Sequence, residues 1–107
     1  MLLERIHCVL SDVAAAPGLA NCTAIDVRNV AGGMVYVQSG AGLTTLTWYA
    51  CDTTDGTYLP ARDGAGGAVT ATIAAGQACP IPAALFGAAF LKAVGNAAAV
   101  LTVSLKA

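Results

Sequence analysis

The stretch LTTLTWYAC at residues 43–51 decides the fold class, because it carries the strongest strand signal in the chain. Its threonine, leucine and aromatic content is typical of a pleated, half-buried surface. Side chains alternate between the two faces of a strand. Leu46, Trp48 and Ala50 are therefore predicted on one face, with Thr45, Thr47, Tyr49 and Cys51 on the other. Because Leu46 lies on the same face, a core position is favoured for Trp48.

A hairpin is predicted directly after this strand. Residues 52–56, DTTDG, form a turn, because Asp-Gly readily adopts the positive φ angles that hairpin turns need. The return strand covers residues 57–61, and Pro60 limits it to a sheet edge or a strand end. Tyr49 and Tyr58 are predicted to pair across the hairpin and stabilise it.

Short β-rich segments separated by glycine, threonine and proline continue on both sides of the hairpin. Further strands are predicted at residues 4–9, 23–30, 34–38, 69–73, 89–94 and 98–105. In the last of these, Leu101, Val103 and Leu105 are expected to face the core. Residues 11–21 are predicted as a loop, and residues 82–87 as one short helical turn with proline first and glycine last.

These segments predict an all-β protein. About eight short strands at regular spacing indicate a single antiparallel β-sandwich, jelly-roll-like, with at most one short helical turn. The chain length fits one domain over residues 1–107. Within it, residues 1–21 are a candidate extended N-terminal strand and loop.

The composition predicts a protein that associates with other proteins. Hydrophobic residues make up 57% of the chain and charged residues only 10%, against about 25% charged in an average domain. A weakly charged surface with a formal net charge of −1 favours association and offers no handle for nucleic acid or anionic lipid. We expect no membrane-spanning helix and no secretory signal, so the protein is predicted to fold in the cytoplasm.

The sequence predicts no enzyme, no cofactor and no bound metal. The one histidine, His7, has no companion at motif spacing, and the turn aspartates Asp52, Asp55 and Asp63 fit turn capping better than calcium binding or acid catalysis. The four cysteines have no C-x-x-C spacing. They are expected to be free, buried thiols, although disulfides stay open as an alternative; they are Cys8, Cys22, Cys51 and Cys79.

Candidate interface residues are the exposed aromatics and the apolar N-terminus. Tyrosine is enriched at protein contacts, which singles out Tyr49 and Tyr58, with Trp48 as a further aromatic candidate. Leu2 and Leu3 are included because a chain terminus is often free until it docks on a neighbour.

Two stretches resemble small virion structural proteins of tailed phages, of the capsid decoration (cement) type. They are LTWYACDTTDGTYLP at residues 46–60 and PAALFGAAFLKAVGN at residues 82–96. The hairpin followed by a late FLK strand is also similar to jelly-roll sugar-binding modules of the discoidin type. The resemblance covers roughly residues 22–106 as a pattern, implies a β-sandwich virion component, and supplies no functional residue.

The leading hypothesis is a capsid decoration protein that stabilises the shell by binding the major capsid protein and copies of itself. It would be made in the host cytoplasm and reside on the capsid surface of the virion. One alternative is a glycan- or host-binding appendage of the virion, with Tyr49, Tyr58 or Trp48 exposed around a groove. Another is a structural component of the tail or connector.

Overall fold

A computed structural model describes residues 7–107 of the chain. This part forms nine β-strands and two short 3-10 turns, Leu19–Asn21 and Ala83–Gly87. The strands are β1 (His7–Ala15), β2 (Ile25–Asp26), β3 (Gly32–Ser39), β4 (Thr45–Cys51), β5 (Leu59–Pro60), β6 (Thr70–Thr72), β7 (Ala78–Pro80), β8 (Phe90–Gly95) and β9 (Ala99–Lys106). The predicted all-β class is confirmed.

Two antiparallel sheets form the layers of the sandwich. The first sheet has the order β1-β9-β3-β7, and the second has the order β2-β8-β4-β5, with β6 also paired to β4. Apart from β4, β5 and β6, which share the second sheet, sequence neighbours alternate between the sheets, as in a jelly roll. The predicted jelly-roll-like sandwich agrees with this strand order.

Strands β5 and β6 act as one interrupted edge strand. Both pair antiparallel with β4, β5 opposite Tyr49 and Ala50 and β6 opposite residues 45–47. At the interruption, Trp48 N donates to Val69 O at 3.0 Å, and Ala61 N donates to Trp48 O at 2.9 Å. The residues between leave the sheet as a small hairpin. Counting β5 and β6 together gives the eight strands of a jelly roll.

The core lies between the inner faces of the two sheets. Leu101, Val103 and Leu105 are buried as predicted, and Leu46 and Trp48 are fully buried from the other side. Trp48 is the largest of these side chains, and its indole Nε1 is buried without a hydrogen-bond acceptor among the described residues. Apolar burial by alternating residues of both layers therefore holds the sandwich together.

The N-terminal prediction was wrong in its bounds. Residues 11–15, predicted as loop, belong to β1, and the part of the predicted strand before His7 lies outside the described residues. A β-bulge between Leu10 and Val13 shifts the register against β9, with Asp12 at φ 57°. The bulge changes which face each side chain takes, so a simple alternation stops at Leu10.

Three other predictions need correction. The predicted strand at 23–30 is reduced to β2, because Asp26 Oδ1 accepts from the backbone N of Arg28 at 3.1 Å and turns the chain. Strand β7 was not predicted, since Pro80 suggested a break, yet an edge strand tolerates a residue without an N–H. The 3-10 turn at Leu19–Asn21 adds a second helical turn to the single one expected.

Gly33→Ala is expected to lower the free energy of unfolding by about 1–3 kcal/mol through overpacking. A Cβ on Gly33 would lie 2.9 Å from both Leu105 Cδ2 and the backbone O of Ser104. Gly32 supplies a matched control in the same strand, because nothing lies within 4 Å of a Cβ added there. Urea denaturation compares the two variants, and equal midpoints for both would contradict the close packing of β3 on β9.

Candidate interaction surface

The outward-facing side of the first sheet carries few charges, and we call it the outer face. It is formed by the residues that alternate with the buried ones along the four strands. They are Val9 and Ala14 of β1, Val100, Thr102 and Ser104 of β9, Met34, Tyr36 and Gln38 of β3, and Ala78 and Pro80 of β7. None of these ten side chains carries a charge, and the same alternation adds one charged residue, the exposed Lys106 at the end of β9.

Large apolar side chains on the outer face are open to solvent. Val9 is 53% exposed, Tyr36 41% and Val100 37%. The register places Tyr36 between Thr102 of β9 and Ala78 of β7, near the middle of the sheet. Exposed apolar side chains on one weakly charged surface are typical of sites that bind another protein.

Trp48 and Tyr58 are corrected as interface candidates, because the fold uses both internally. Trp48 is fully buried and Tyr58 is only 7% exposed, so neither presents its ring to a partner. Tyr49 is half-buried on the outward side of the second sheet, opposite Lys92 of β8. Leu2 and Leu3 lie outside the described residues.

Tyr58 contacts the turn after β4 and Lys92 of strand β8, and it does not pair with Tyr49. The register places Pro60, not Tyr58, opposite Tyr49, so the predicted tyrosine pair was wrong. The Tyr58 hydroxyl donates to Thr54 O at 3.1 Å, and Lys92 Nζ lies 4.6 Å from the Tyr58 ring centroid. Burial raises the pKa of Tyr58, with smaller contributions from the charges of Cys51 and Asp55.

An exposed ion pair stands beside β2. Arg28 donates from Nε to Asp26 Oδ1 at 3.0 Å and from Nη2 to Oδ2 at 2.7 Å. These side-chain hydrogen bonds, together with the one from the Arg28 backbone, hold the pKa of Asp26 below its usual value. The guanidinium also lies 5.0 Å from the Phe90 ring centroid. This cluster is therefore structural, since each charge already has its partner.

The cysteines follow the prediction only in part. All four are free, and Cys22 is buried, with its thiol 3.4 Å from the backbone oxygens of Ala16 and Gly18. Cys8 is exposed, which corrects the expectation that the thiols are buried, while Cys51 and Cys79 are half-buried. Burial raises the pKa of the Cys79 thiol, which disfavours its thiolate.

Two open grooves mark the described surface. The larger, of about 460 Å³, lies beside the turn after β4 and carries Cys51 and Asp52 as its ionisable groups. The smaller, of about 310 Å³, has Cys8, Asp26 and Leu105 among its lining residues. Within residues 7–107, no three histidine, cysteine or acidic side chains gather to hold a metal ion. Neither groove contains an aromatic ring.

Comparison with protein-family profiles, curated proteins and solved structures finds no match for this chain. Its fold and surface must therefore be interpreted from its own residues. Over the described range, no helix has the length and apolar character to cross a lipid bilayer.

Sequence reasoning did not single out Val9, Tyr36 or Val100. A signal for one of them was present, because assigning Leu101, Val103 and Leu105 to the core leaves Val100 pointing outward. For Val9 and Tyr36, the outward direction depends on pairing with β9, which is distant in sequence from both. The outer face thus becomes visible only when the sheet is assembled.

Proposed function

We propose that this chain is a non-enzymatic virion structural protein, a decoration protein that stabilises a tailed-phage capsid by binding major capsid subunits. The observation that carries the proposal is the outer face, a sheet surface with one charged side chain, Lys106 at its end, that exposes Val9, Tyr36 and Val100. The sequence resemblance to phage virion proteins is the reason for proposing a tailed-phage capsid as the assembly. The protein would be made in the host cytoplasm and would lie on the capsid surface.

The size of the outer face argues for weak individual contacts. Strands β1, β9 and β3 are nine, eight and eight residues long. At strand spacings of about 4.8 Å and rises of about 3.3 Å per residue, the face covers about 400–500 Å². A contact through it would bury about 900 Å² in total, less than the roughly 1,200–2,000 Å² of standard stable complexes.

Weak contacts fit a protein that acts in many copies. A shell presents the same subunit boundary repeatedly, and copies that also contact each other gain affinity through their effective concentration. Because each bound copy would bridge two subunits, separating those subunits would require breaking its contacts. Thermal disruption of a decorated shell should then need a higher temperature than disruption of a bare shell.

The decoration hypothesis is tested by adding the purified chain back to particles that have been stripped of it. The disruption temperature of the particles, followed by light scattering or calorimetry, is expected to rise with bound chain and to level off when sites are full. Serum albumin at the same concentration controls for non-specific effects. Equal disruption temperatures for bare and decorated particles would contradict the proposed role.

The two alternative functions, a glycan-binding appendage and a tail or connector component, predict different observations. A glycan-binding appendage was expected to expose Tyr49, Tyr58 or Trp48 around a groove, but Trp48 and Tyr58 are buried and the grooves hold no aromatic ring. A tail or connector component could use the same outer face. Its copies would form one ring per particle rather than cover the shell, so counting copies per particle separates it from a decoration protein.

A further inference from the structure

The chain contains two Asp-Gly pairs, Asp55-Gly56 and Asp63-Gly64. Both are exposed: the first lies in the turn after β4, and the second lies in the hairpin between β5 and β6. Aspartate followed by glycine is prone to form isoaspartate, because glycine has no side chain to screen its backbone nitrogen from the preceding carboxyl group. The other aspartates are each followed by valine or threonine, which are branched at Cβ.

Isoaspartate forms through a succinimide ring, and the reaction needs only water. The backbone nitrogen of the glycine attacks Cγ of the aspartate, an N–C bond forms, and the amide proton and the carboxyl OH leave together as water. A water molecule then opens the ring. Opening at the original carbonyl carbon leaves the chain running through the aspartate Cβ, which is isoaspartate, and opening at Cγ restores aspartate. The first step requires the aspartate side chain and backbone to rotate, so contacts that hold them slow it.

Asp63 is held in place through both its side chain and its backbone. Its Oδ1 accepts hydrogen bonds from Ala65 N and Gly67 N, each at 2.9 Å. Its own backbone N donates to Gly67 O at 2.9 Å, and its backbone O accepts from Gly66 N at 3.0 Å. The side-chain bond to Ala65 N is that of an Asx turn. Ring closure at Asp63 would therefore have to break hydrogen bonds before the nitrogen of the next residue could attack.

Asp55 has no such restraint. Among the described residues, it makes no ion pair, and neither its carboxylate nor its backbone N or O forms a hydrogen bond. One residue earlier, Thr54 O accepts from the Tyr58 hydroxyl at 3.1 Å, so the turn is anchored just before Asp55. The side chain and the peptide bond of Asp55 are thus free to rotate toward the nitrogen of Gly56.

The packing of the turn requires glycine after Asp55. A Cβ at Gly56 would lie 2.5 Å from Thr53 Oγ1 and 2.6 Å from Cys51 Sγ, so a larger residue would have to displace the turn. At Gly64, by contrast, nothing lies within 4 Å of an added Cβ. The fold therefore keeps the reactive pair at the position where the aspartate is unrestrained.

We propose that Asp55-Gly56 is a modification site at which isoaspartate forms in the folded protein, and that the hairpin protects Asp63-Gly64 from the same reaction. The product has one more carbon in the main chain between residues 55 and 56. Because Gly56 lines the larger groove with Thr53 and Thr57, the reaction alters a wall of that groove as the molecule ages. The site is independent of the proposed virion role.

The proposal is tested on the purified full chain, incubated at neutral pH and at a temperature below its unfolding transition. Water enriched in heavy oxygen marks every ring opening, and isoaspartyl methyltransferase with peptide mapping measures isoaspartate at each pair. We expect isoaspartate to appear at residue 55 at least about tenfold faster than at residue 63, since the hydrogen bonds of Asp63 must break first. Equal rates at the two pairs, or a faster reaction at residue 63, would overturn the proposal.

Two controls separate the structure from the local sequence. In concentrated guanidinium chloride, where the hairpin is unfolded, the two pairs should react at similar rates. An undiminished preference for residue 55 in the unfolded chain would overturn the proposed protection by the hairpin. Asp55→Glu keeps the charge but has one carbon too many for a succinimide ring, so the folded variant should lose the isoaspartate signal. A signal that persists at its original rate in this variant would refute the assignment of the site.

Discussion

Trp48→Ala is expected to lower the free energy of unfolding by about 3–5 kcal/mol, the range for removing a large aromatic side chain from a core. Trp48 is fully buried at the centre of the sandwich. The backbone of Trp48 also forms hydrogen bonds with Ala61 and Val69, which lie on either side of the hairpin that interrupts the edge strand. Since small domains have only about 5–15 kcal/mol of stability, the urea midpoint should fall by a large fraction of its value.

Trp48→Phe is the control that separates packing from hydrogen bonding. Phenylalanine keeps an aromatic ring in the core and removes the indole N–H, which is buried without an acceptor among the described residues. Relief of that unsatisfied donor offsets part of the lost packing, so the expected cost is below about 1.5 kcal/mol. A cost equal to that of Trp48→Ala would mean that the indole nitrogen has an essential partner.

Tyr36→Asp is expected to reduce binding to stripped particles by about a hundredfold or more, while the variant stays folded with an unfolding midpoint lowered by the loss of a strand-favouring side chain. Tyr36 lies in the middle of the outer face and is 41% exposed in the isolated chain. A carboxylate buried there against an uncharged partner would lose its hydration without gaining a counter-charge, at a cost of several kcal/mol. Quantifying bound chain after sedimentation of the particles measures the effect.

The control for Tyr36→Asp is Leu59→Asp. Leu59 is even more exposed, at 63%, but lies at the edge of the second sheet, away from the outer face. We expect particle binding by this variant to equal that of the unchanged chain. Strong loss of binding in Tyr49→Asp with none in Tyr36→Asp would move the interface to the second sheet and refute the assignment of the outer face.

The fold class was predictable because much of its signal is local. Much of residues 43–51 and 98–105 alternates between inward apolar and outward side chains, and the structure has β4 and β9 in those stretches. The residues expected in the core are buried except Ala50, which is half-buried. The turn at residues 82–87 was also predicted, since proline and glycine mark its ends. In these segments, propensity and hydrophobic pattern agree with the tertiary environment.

The misplaced elements depend on distant pairing. The bulge in β1 is defined by its register against β9, about ninety residues away along the chain. Strand β7 exists because β3 pairs with it, despite Pro80. The edge strand is divided into β5 and β6 by a hairpin whose ends join only through Trp48 of β4. No local pattern contains these partners, so sequence reasoning could not find them.

The sequence predicted that the candidate surface carries few charges, but it did not predict where in the fold that surface lies. Low charge and abundant small residues indicated a surface made to be covered by other proteins. The choice of Tyr58 as an anchor failed because its ring packs beneath Lys92 and its hydroxyl binds Thr54 O. Which aromatic residue remains exposed depends on the packing of both sheets and their loops, and that packing leaves Tyr36 exposed.

The most direct test is an electron cryomicroscopy reconstruction of an intact particle that contains this chain. We expect copies at every equivalent position of the shell, each with Val9, Tyr36 and Val100 of the outer face against major capsid subunits. A single ring of copies at the tail, or shell-bound copies whose outer face is open to solvent, would contradict the proposed role.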